Sequence, residues 1–306
     1  MSVLALLRSF LRFIKWKLYI KQRFAADRWY FISNYGIGDL YLLSSLLPRL
    51  ISQGKKVSII IDKENRSFIP SLFSEEVEVI FDPSIQYNLI KEFGQYKVGN
   101  PILLHPIDLL GSGLLQVIGF DKMTLIDSYK ILLNLPIKTI PSPPLFKLEY
   151  IDEITRIFLD NELVKGKTVL LCPQANSISI LSESIWLKLA FFLKETGFIP
   201  VFLNVRIGAF PTVEFPLFYS KEFCDYAGHI ISLRSGFCDL IASSSAKKII
   251  LYPDELWQSG SMIDGAGLVA MNLCDNADIL ELVLNAYNIE NLNKQVSSFF
   301  APEYVG

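Results

Sequence analysis

Arg28-Trp29-Tyr30-Phe31-Ile32-Ser33-Asn34-Tyr35-Gly36-Ile37-Gly38-Asp39-Leu40 is the stretch that decides the fold. Arg28 to Asn34 is rich in bulky apolar side chains and reads as a short buried strand. Tyr35 to Asp39 is a glycine turn, and Leu40 to Ser52 reads as a helix closed by Gly54. Lys56 to Asp62 is a second apolar strand. Together they form a β-α-β unit, whose parallel strands imply an open α/β sheet.

The pattern extends in both directions. Further short strands are expected at Val77–Phe81 and Ile102–Leu104. The segment 105–145 is mixed and ends in Pro141-Ser142-Pro143-Pro144, a linker candidate. After Gly166 the theme restarts. Strands are expected at 168–172, 199–204, 230–233 and 248–252, and helices at 185–196, 237–244 and, finally, 277–287. The expected organisation is a helix over 1–27, a Rossmann-like domain over 28–145 and a second one over 146–306, with a cleft between the two.

The chain has 306 residues, 51% hydrophobic and 20% charged, with four cysteines. That excludes a disordered chain and a disulfide-stapled mini-protein. Mean hydropathy is +0.35, which raises the question of a membrane. The net charge of −2 conceals two unlike parts. Residues 1–28 carry seven basic side chains against Asp27 alone, or +6; the rest carries 22 basic against 30 acidic, or −8. An acidic body argues against nucleic-acid binding.

A transmembrane helix needs ~20 mostly apolar residues, and Arg8, Arg12, Lys15 and Lys17 interrupt the N-terminal run. Nor is there the unbroken apolar core of a signal peptide. Leu4, Leu7, Leu11, Ile14 and Leu18 follow helical spacing and share one face, beside a stripe of Arg8, Arg12 and Lys15. Such a helix suits an anionic membrane surface. The alternative is a helix packed on the body or on a partner subunit.

Ligands of open α/β sheets bind where strands end and helices begin. Three such places stand out. At Gly36-Ile37-Gly38-Asp39, the Asp39 carboxylate is an N-cap, a catalytic base, or part of a dinucleotide site with Asp62. At Arg234-Ser235-Gly236, free N–H groups and a guanidinium would cradle a diphosphate; an internal salt bridge of Arg234 is the alternative, and Asp239 follows on the first helical turn. At Cys172 to Ser179, Gln174, Asn176 and Ser177 suit neutral hydrogen bonding to a nucleotide or sugar, or form a plain surface loop.

Weaker candidates are His105 at a strand end, and Tyr252 and Asp254 after a later strand; Gln258 to Met262 is a lid candidate. The histidines and cysteines lack zinc-site spacing, and no GxSxG, Walker A or DxD motif is present. No metal or cofactor is therefore expected.

Asn34-Tyr35-Gly36-Ile37-Gly38-Asp39, then an apolar helix with Pro48, a glycine and a strand, resembles the N-terminal signature of the ADP-heptose:lipopolysaccharide heptosyltransferase family. The second half matches in order: a strand, a Pro173-x-Ala175 loop, Trp186 early in a helix, Gly197 and an apolar strand. Ser235-Gly236 stands at that family's diphosphate-binding turn. The resemblance implies a GT-B fold of two Rossmann-like domains and a glycosyltransferase in which Asp39 is the general base. It implies an inverting, metal-independent reaction, with a nucleotide-sugar as substrate and Gly36, Gly38 and His105 on the acceptor side. The family's histidine after the diphosphate turn and its lysine before the tryptophan are missing here. A divergent capsule or O-antigen enzyme is therefore expected, cytoplasmic and peripheral on the inner face of the membrane, with a lipid-linked glycan acceptor. The rival expectations are a non-catalytic scaffold subunit and an NAD(P)-dependent oxidoreductase.

Overall fold

The computed structural model describes residues 3–33, 36–61, 72–93, 102–106, 118–144, 151–175, 178, 181–257, 259–285 and 290–301. Asn34, Tyr35, Asp62, Asn176, Ser177, Ser179 and Gln258 lie outside the described residues.

The first half runs α1 (Val3–Arg23), β1 (Arg28–Ser33), α2 (Ile37–Ile51), β2 (Lys56–Ile61), β3 (Val77–Phe81), α3 (Tyr87–Phe93), β4 (Ile102–Leu103) and α4 (Leu125–Leu132). Its strands form one parallel sheet in the order β3-β2-β1-β4. The strands are apolar on both faces because both faces are covered. Phe31, Ile59 and Ile61 pack with α2, whereas Tyr30, Ile32 and Ile60 pack with Trp16, Ile20 and Phe24 from the N-terminal segment.

Helix α1 is therefore a covering layer of the first sheet. Trp16, Ile20 and Phe24 recur every four residues and form the buried seam. The expected apolar stripe is on the opposite side of the helix and stays exposed: Leu4 67%, Leu7 54%, Leu11 56%, Ile14 38% and Leu18 55%. The helix has two apolar faces, and the body covers one of them.

The second half contains α5 (Ile151–Asp160), β5 (Thr168–Cys172), α6 (Glu183–Glu195), β6 (Ile199–Leu203), β7 (Thr212–Val213), α7 (Ser220–Ala227), β8 (Gly228–Leu233), α8 (Gly236–Leu240) and β9 (Lys247–Pro253). It continues with β10 (Leu256–Trp257), β11 (Gly260–Ser261), α9 (Met262–Ala266), β12 (Ile279–Leu284) and α10 (Leu292–Phe300). Its main sheet is parallel, in the order β12-β9-β8-β5-β6-β7.

Two expectations are corrected here. The segment 277–287 was expected to be the final helix, but Ile279–Leu284 is a strand paired in parallel with β9. Its one charge, Glu281, accepts hydrogen bonds from the Tyr252 hydroxyl and from the backbone N–H of Leu268 and Val269. With that charge satisfied, Ile279-Leu280-Glu281-Leu282-Val283-Leu284 serves as a half-buried edge of the sheet. The last described helix is α10, which packs Leu292, Val296 and Phe300 on the second sheet.

The lid candidate is the second correction. Leu256–Trp257 (β10) pairs antiparallel with Gly260–Ser261 (β11). Gly260 lies so close to the first half that a Cβ there would be 2.5 Å from the Asp121 backbone nitrogen. Phe120 stacks edge-on against Trp257 at 4.9 Å and fills the space beside Gly265. The segment is clamped between the halves. One apolar cluster also runs from Leu42 and Tyr129 in the first half to Leu240, Tyr252 and Leu268 in the second.

Candidate active site

In the first sheet the chain order reverses at β1: β2 and β3 add on one side and β4 on the other. The switch point is the gap between β1 and β4, and Asp39 and His105 stand after those two strands. In the second sheet the switch point lies between β5 and β8, followed by Gln174 and by Ser235-Gly236. Ligand crevices form at such points in open sheets. Here the two crevices are one cleft, a cavity of about 480 Å³ lined by Gly36–Asp39, His105, Gln174, Ala175, Arg234–Phe237 and Asp239 among others. That volume suits a small-molecule ligand.

Asp39 sits in the first turn of α2, and the N-cap is Gly36. Asp39 is thus not the cap residue. Its Oδ1 accepts hydrogen bonds from His105 Nε2 at 2.8 Å and from the Tyr129 hydroxyl at 3.2 Å. Both partners are buried, and Tyr129 meets the His105 ring edge-on at 5.6 Å. Asp39 keeps 22% of its side chain exposed, against 5% for His105.

The glycines of the two turns have a reason that the sequence reading did not supply. A Cβ on Gly38 would lie 2.3 Å from Asp239 Oδ2 and 2.9 Å from the Gly236 Cα. A Cβ on Gly236 would lie 2.8 Å from the Gly38 nitrogen. The two strand–helix turns touch each other across the cleft floor, and neither tolerates a side chain there.

Arg234 is buried, as is its partner Asp239. Its Nε donates to the Ala266 carbonyl at 2.8 Å, and NH1 donates to the Ser235 carbonyl. NH1 and NH2 grip Asp239 at 3.1 and 2.7 Å, a bidentate pair. Four of the five guanidinium N–H groups are thereby engaged. Burial pushes the Asp239 carboxyl up to about 6, against the pull of the Arg234 guanidinium, and the charge of Asp39 adds a further push. Burial opposes the Arg234 charge, but Asp239 outweighs it and moves its pKa upward. The bidentate contact brings the two opposite charges together in this buried place. The salt-bridge alternative for Arg234 is therefore realised, and the guanidinium is not a free fork waiting for phosphate.

The cleft also gathers Gln174, Ser235, Gly236, Gly36, Gly38 and His105 from the expected set. Tyr252 and Asp254 are not among its lining residues. Tyr252 is fully buried in β9 with its hydroxyl on Glu281, and Asp254 is exposed beyond the end of that strand. Tyr129 and Trp257 were missed. A helix-start signal, Thr124 with Asp127 three residues on, precedes Tyr129, and the Thr124 hydroxyl does accept the Asp127 N–H at 3.2 Å. Nothing local marks Tyr129 itself.

No family model matches the chain, and neither does any curated protein. Solved structures do. A glycosyl transferase family 9 protein from Veillonella parvula superposes with a TM-score of 0.59 at 10% identity, covering 90% of this chain and 97% of the other. The E. coli ADP-heptose lps heptosyltransferase II superposes with a TM-score of 0.59 at 13% identity, over 89% and 98% of the two chains. The E. coli heptosyltransferase WaaC with ADP gives a TM-score of 0.51 at 11% identity, over 89% and 98%. At such identities the likeness concerns the fold: the chain has the two-sheet GT-B architecture of these proteins, as the resemblance implied.

Proposed function

We propose that the protein is a glycosyltransferase that moves a sugar from a nucleotide-sugar to a lipid-linked or surface glycan. One observation carries this reading. A partly exposed carboxylate, Asp39, faces the Ser235-Gly236 turn across a single cleft at the switch points of both sheets.

In this mechanism the acceptor hydroxyl enters beside Asp39. Its O–H bond breaks, and the proton passes to Asp39 Oδ2. The new bond from oxygen to the anomeric carbon forms as the bond from that carbon to the diphosphate oxygen breaks, and the electron pair leaves with the nucleoside diphosphate. Attack opposite the leaving group inverts the anomeric centre. The departing charge rests at Ser235 and Gly236, with the guanidinium of Arg234, held in place by Asp239, as a fixed N–H donor behind them rather than a mobile clamp. Gln174 serves the nucleotide or sugar. No role falls to a metal in this scheme.

A thermal-shift screen with UDP, GDP, ADP, CMP, dTDP and NAD tests the reading. One nucleoside diphosphate is expected to raise the melting temperature. Stabilisation by NAD alone would support an oxidoreductase, and stabilisation by none would support a scaffold.

The acceptor and the site of action complete the proposal. No helix among the described residues is long and apolar enough to cross a membrane. The exposed stripe Leu4, Leu7, Leu11, Ile14 and Leu18 points away from the body and is edged by exposed Arg8 and Lys15 on one side and Lys21 on the other. An apolar stripe between two cationic edges fits an anionic bilayer surface, with each cation adding about 1 kcal/mol. The protein would thus lie on the inner face of the cytoplasmic membrane, near a lipid-linked acceptor. Full-length protein is expected to sediment with phosphatidylglycerol vesicles. The combined Leu7→Glu, Leu11→Glu and Leu18→Glu variant should lose at least tenfold in partitioning while keeping its fold. Unchanged partitioning would contradict the attachment.

A further inference from the structure

We infer that His105 and Tyr129 are positioning residues that hold Asp39 with one oxygen committed and the other presented to the acceptor. The inference rests on the transfer mechanism above and goes beyond it by assigning work to two side chains behind the base.

The three residues come from different elements: Asp39 from α2, His105 from the end of β4 and Tyr129 from α4. Their convergence is therefore a product of the fold, not of local sequence. Both hydrogen bonds end on the same atom, Oδ1. A carboxylate accepts but does not donate, so the bond to His105 requires the imidazole proton on Nε2. Oδ2 lies on the Gly36 side, 3.7 Å from where a Cβ of that residue would stand. That side is the wall of the cleft.

The torsion that turns an aspartate carboxylate is broad and nearly two-fold. Without partners, the two oxygens would exchange places and sample orientations that miss the acceptor. Two donors on Oδ1 remove that freedom. They also draw charge toward Oδ1, so Oδ2 is left as the oxygen that takes the proton. The burial gradient settles the division of roles within the group. His105, at 5% exposure, is behind Asp39 at 22%, so the more accessible group meets the acceptor and the buried one orients it. Misplacing a catalytic group by about 1 Å costs up to ~10²-fold in rate.

The experiment compares His105→Leu, His105→Gln and Tyr129→Phe in the full chain, each checked for an unchanged melting profile. His105→Leu removes the donor and should lower kcat by about 10- to 100-fold with donor KM unchanged. His105→Gln restores an N–H donor but cannot serve as a base, and should stay within about threefold of wild type. Tyr129→Phe loses one longer hydrogen bond and should cost about fivefold. His105→Gln falling as far as His105→Leu would overturn the inference, because it would make the imidazole itself the base. Full kcat in both His105→Leu and Tyr129→Phe would also overturn it.

A crystal structure of the His105→Leu, Tyr129→Phe double variant reads the same claim without activity. The Asp39 carboxylate is expected to leave its wild-type orientation, and an unmoved carboxylate would overturn the inference. A wild-type protein inert toward every donor would defeat the transfer mechanism alone, since the crystallographic result would still report on who holds Asp39.

Discussion

Asp39→Asn is expected to lower the rate of sugar transfer by about 10²- to 10⁴-fold, the usual contribution of a positioned general base. Nucleoside-diphosphate affinity should stay within about threefold, because the leaving group is held on the other wall of the cleft. The substitution preserves the shape of the side chain. Its amide can be oriented to accept from His105 and Tyr129 through the oxygen, as Oδ1 does now. What it removes is the capacity of the second position to take a proton. Stability should therefore change little, and a progress curve with saturating donor isolates the chemical step. Full transfer by Asp39→Asn would remove the base from the mechanism.

The second large effect concerns stability. Breaking the buried Arg234–Asp239 pair by Asp239→Asn or Arg234→Met is expected to cost about 3–5 kcal/mol, since it strands one charge in a buried place. Urea unfolding would read it as a lower midpoint with an unchanged slope. The pair lies at the contact of the two turns, with Asp239 Oδ2 in the space that a side chain at Gly38 would need. Loss of the pair should therefore loosen the cleft as well as the domain. The double replacement Arg234→Met, Asp239→Leu takes both charges away together and should recover most of the stability.

That double variant also separates the two roles of Arg234. If its charge helps to hold the leaving diphosphate, affinity should fall by about 10- to 100-fold, the worth of one charge-assisted hydrogen bond. Wild-type affinity in the double variant would leave Arg234 with a structural role only.

The β-α-β theme was legible because parallel strands covered on both faces are nearly unbroken apolar runs. Most strand limits read from the sequence agree with the structure to within a residue or two. Helix α2 begins earlier than expected, at Ile37, so Asp39 is inside its first turn and Gly36 is the cap. Strand β12 was misread because Ile279, Leu282 and Val283 also satisfy helical spacing, and six residues are too few for periodicity to decide. The expected face of α1 was real but was not the one that docks. The seam of Trp16, Ile20 and Phe24 became evident only with the sheet beneath it.

At the site, local sequence showed which turns end at the cleft, because a glycine turn after an apolar strand is a local feature. It did not show which side chains meet. Tyr129 reaches Asp39 across 90 positions and His105 across 66. Arg234 and Asp239 are only five apart, yet their pairing depends on the strand–turn–helix path between them. The two glycine turns were read as places for a ligand to approach. Instead Gly38 is hemmed in by Asp239 and Gly236, and Gly236 by Gly38 and Ile37.

The central claim is that this cleft transfers sugar from a nucleotide-sugar. The most direct measurement incubates the full chain with a panel of nucleotide-sugars and vesicles carrying bacterial lipid-linked glycans, and follows nucleoside-diphosphate release together with the mass of the lipid product. The account predicts that one donor is consumed, with one sugar gained by the lipid for each nucleoside diphosphate released, and that Asp39→Asn suppresses both signals. Consumption of no donor, or release that survives Asp39→Asn undiminished, would contradict it.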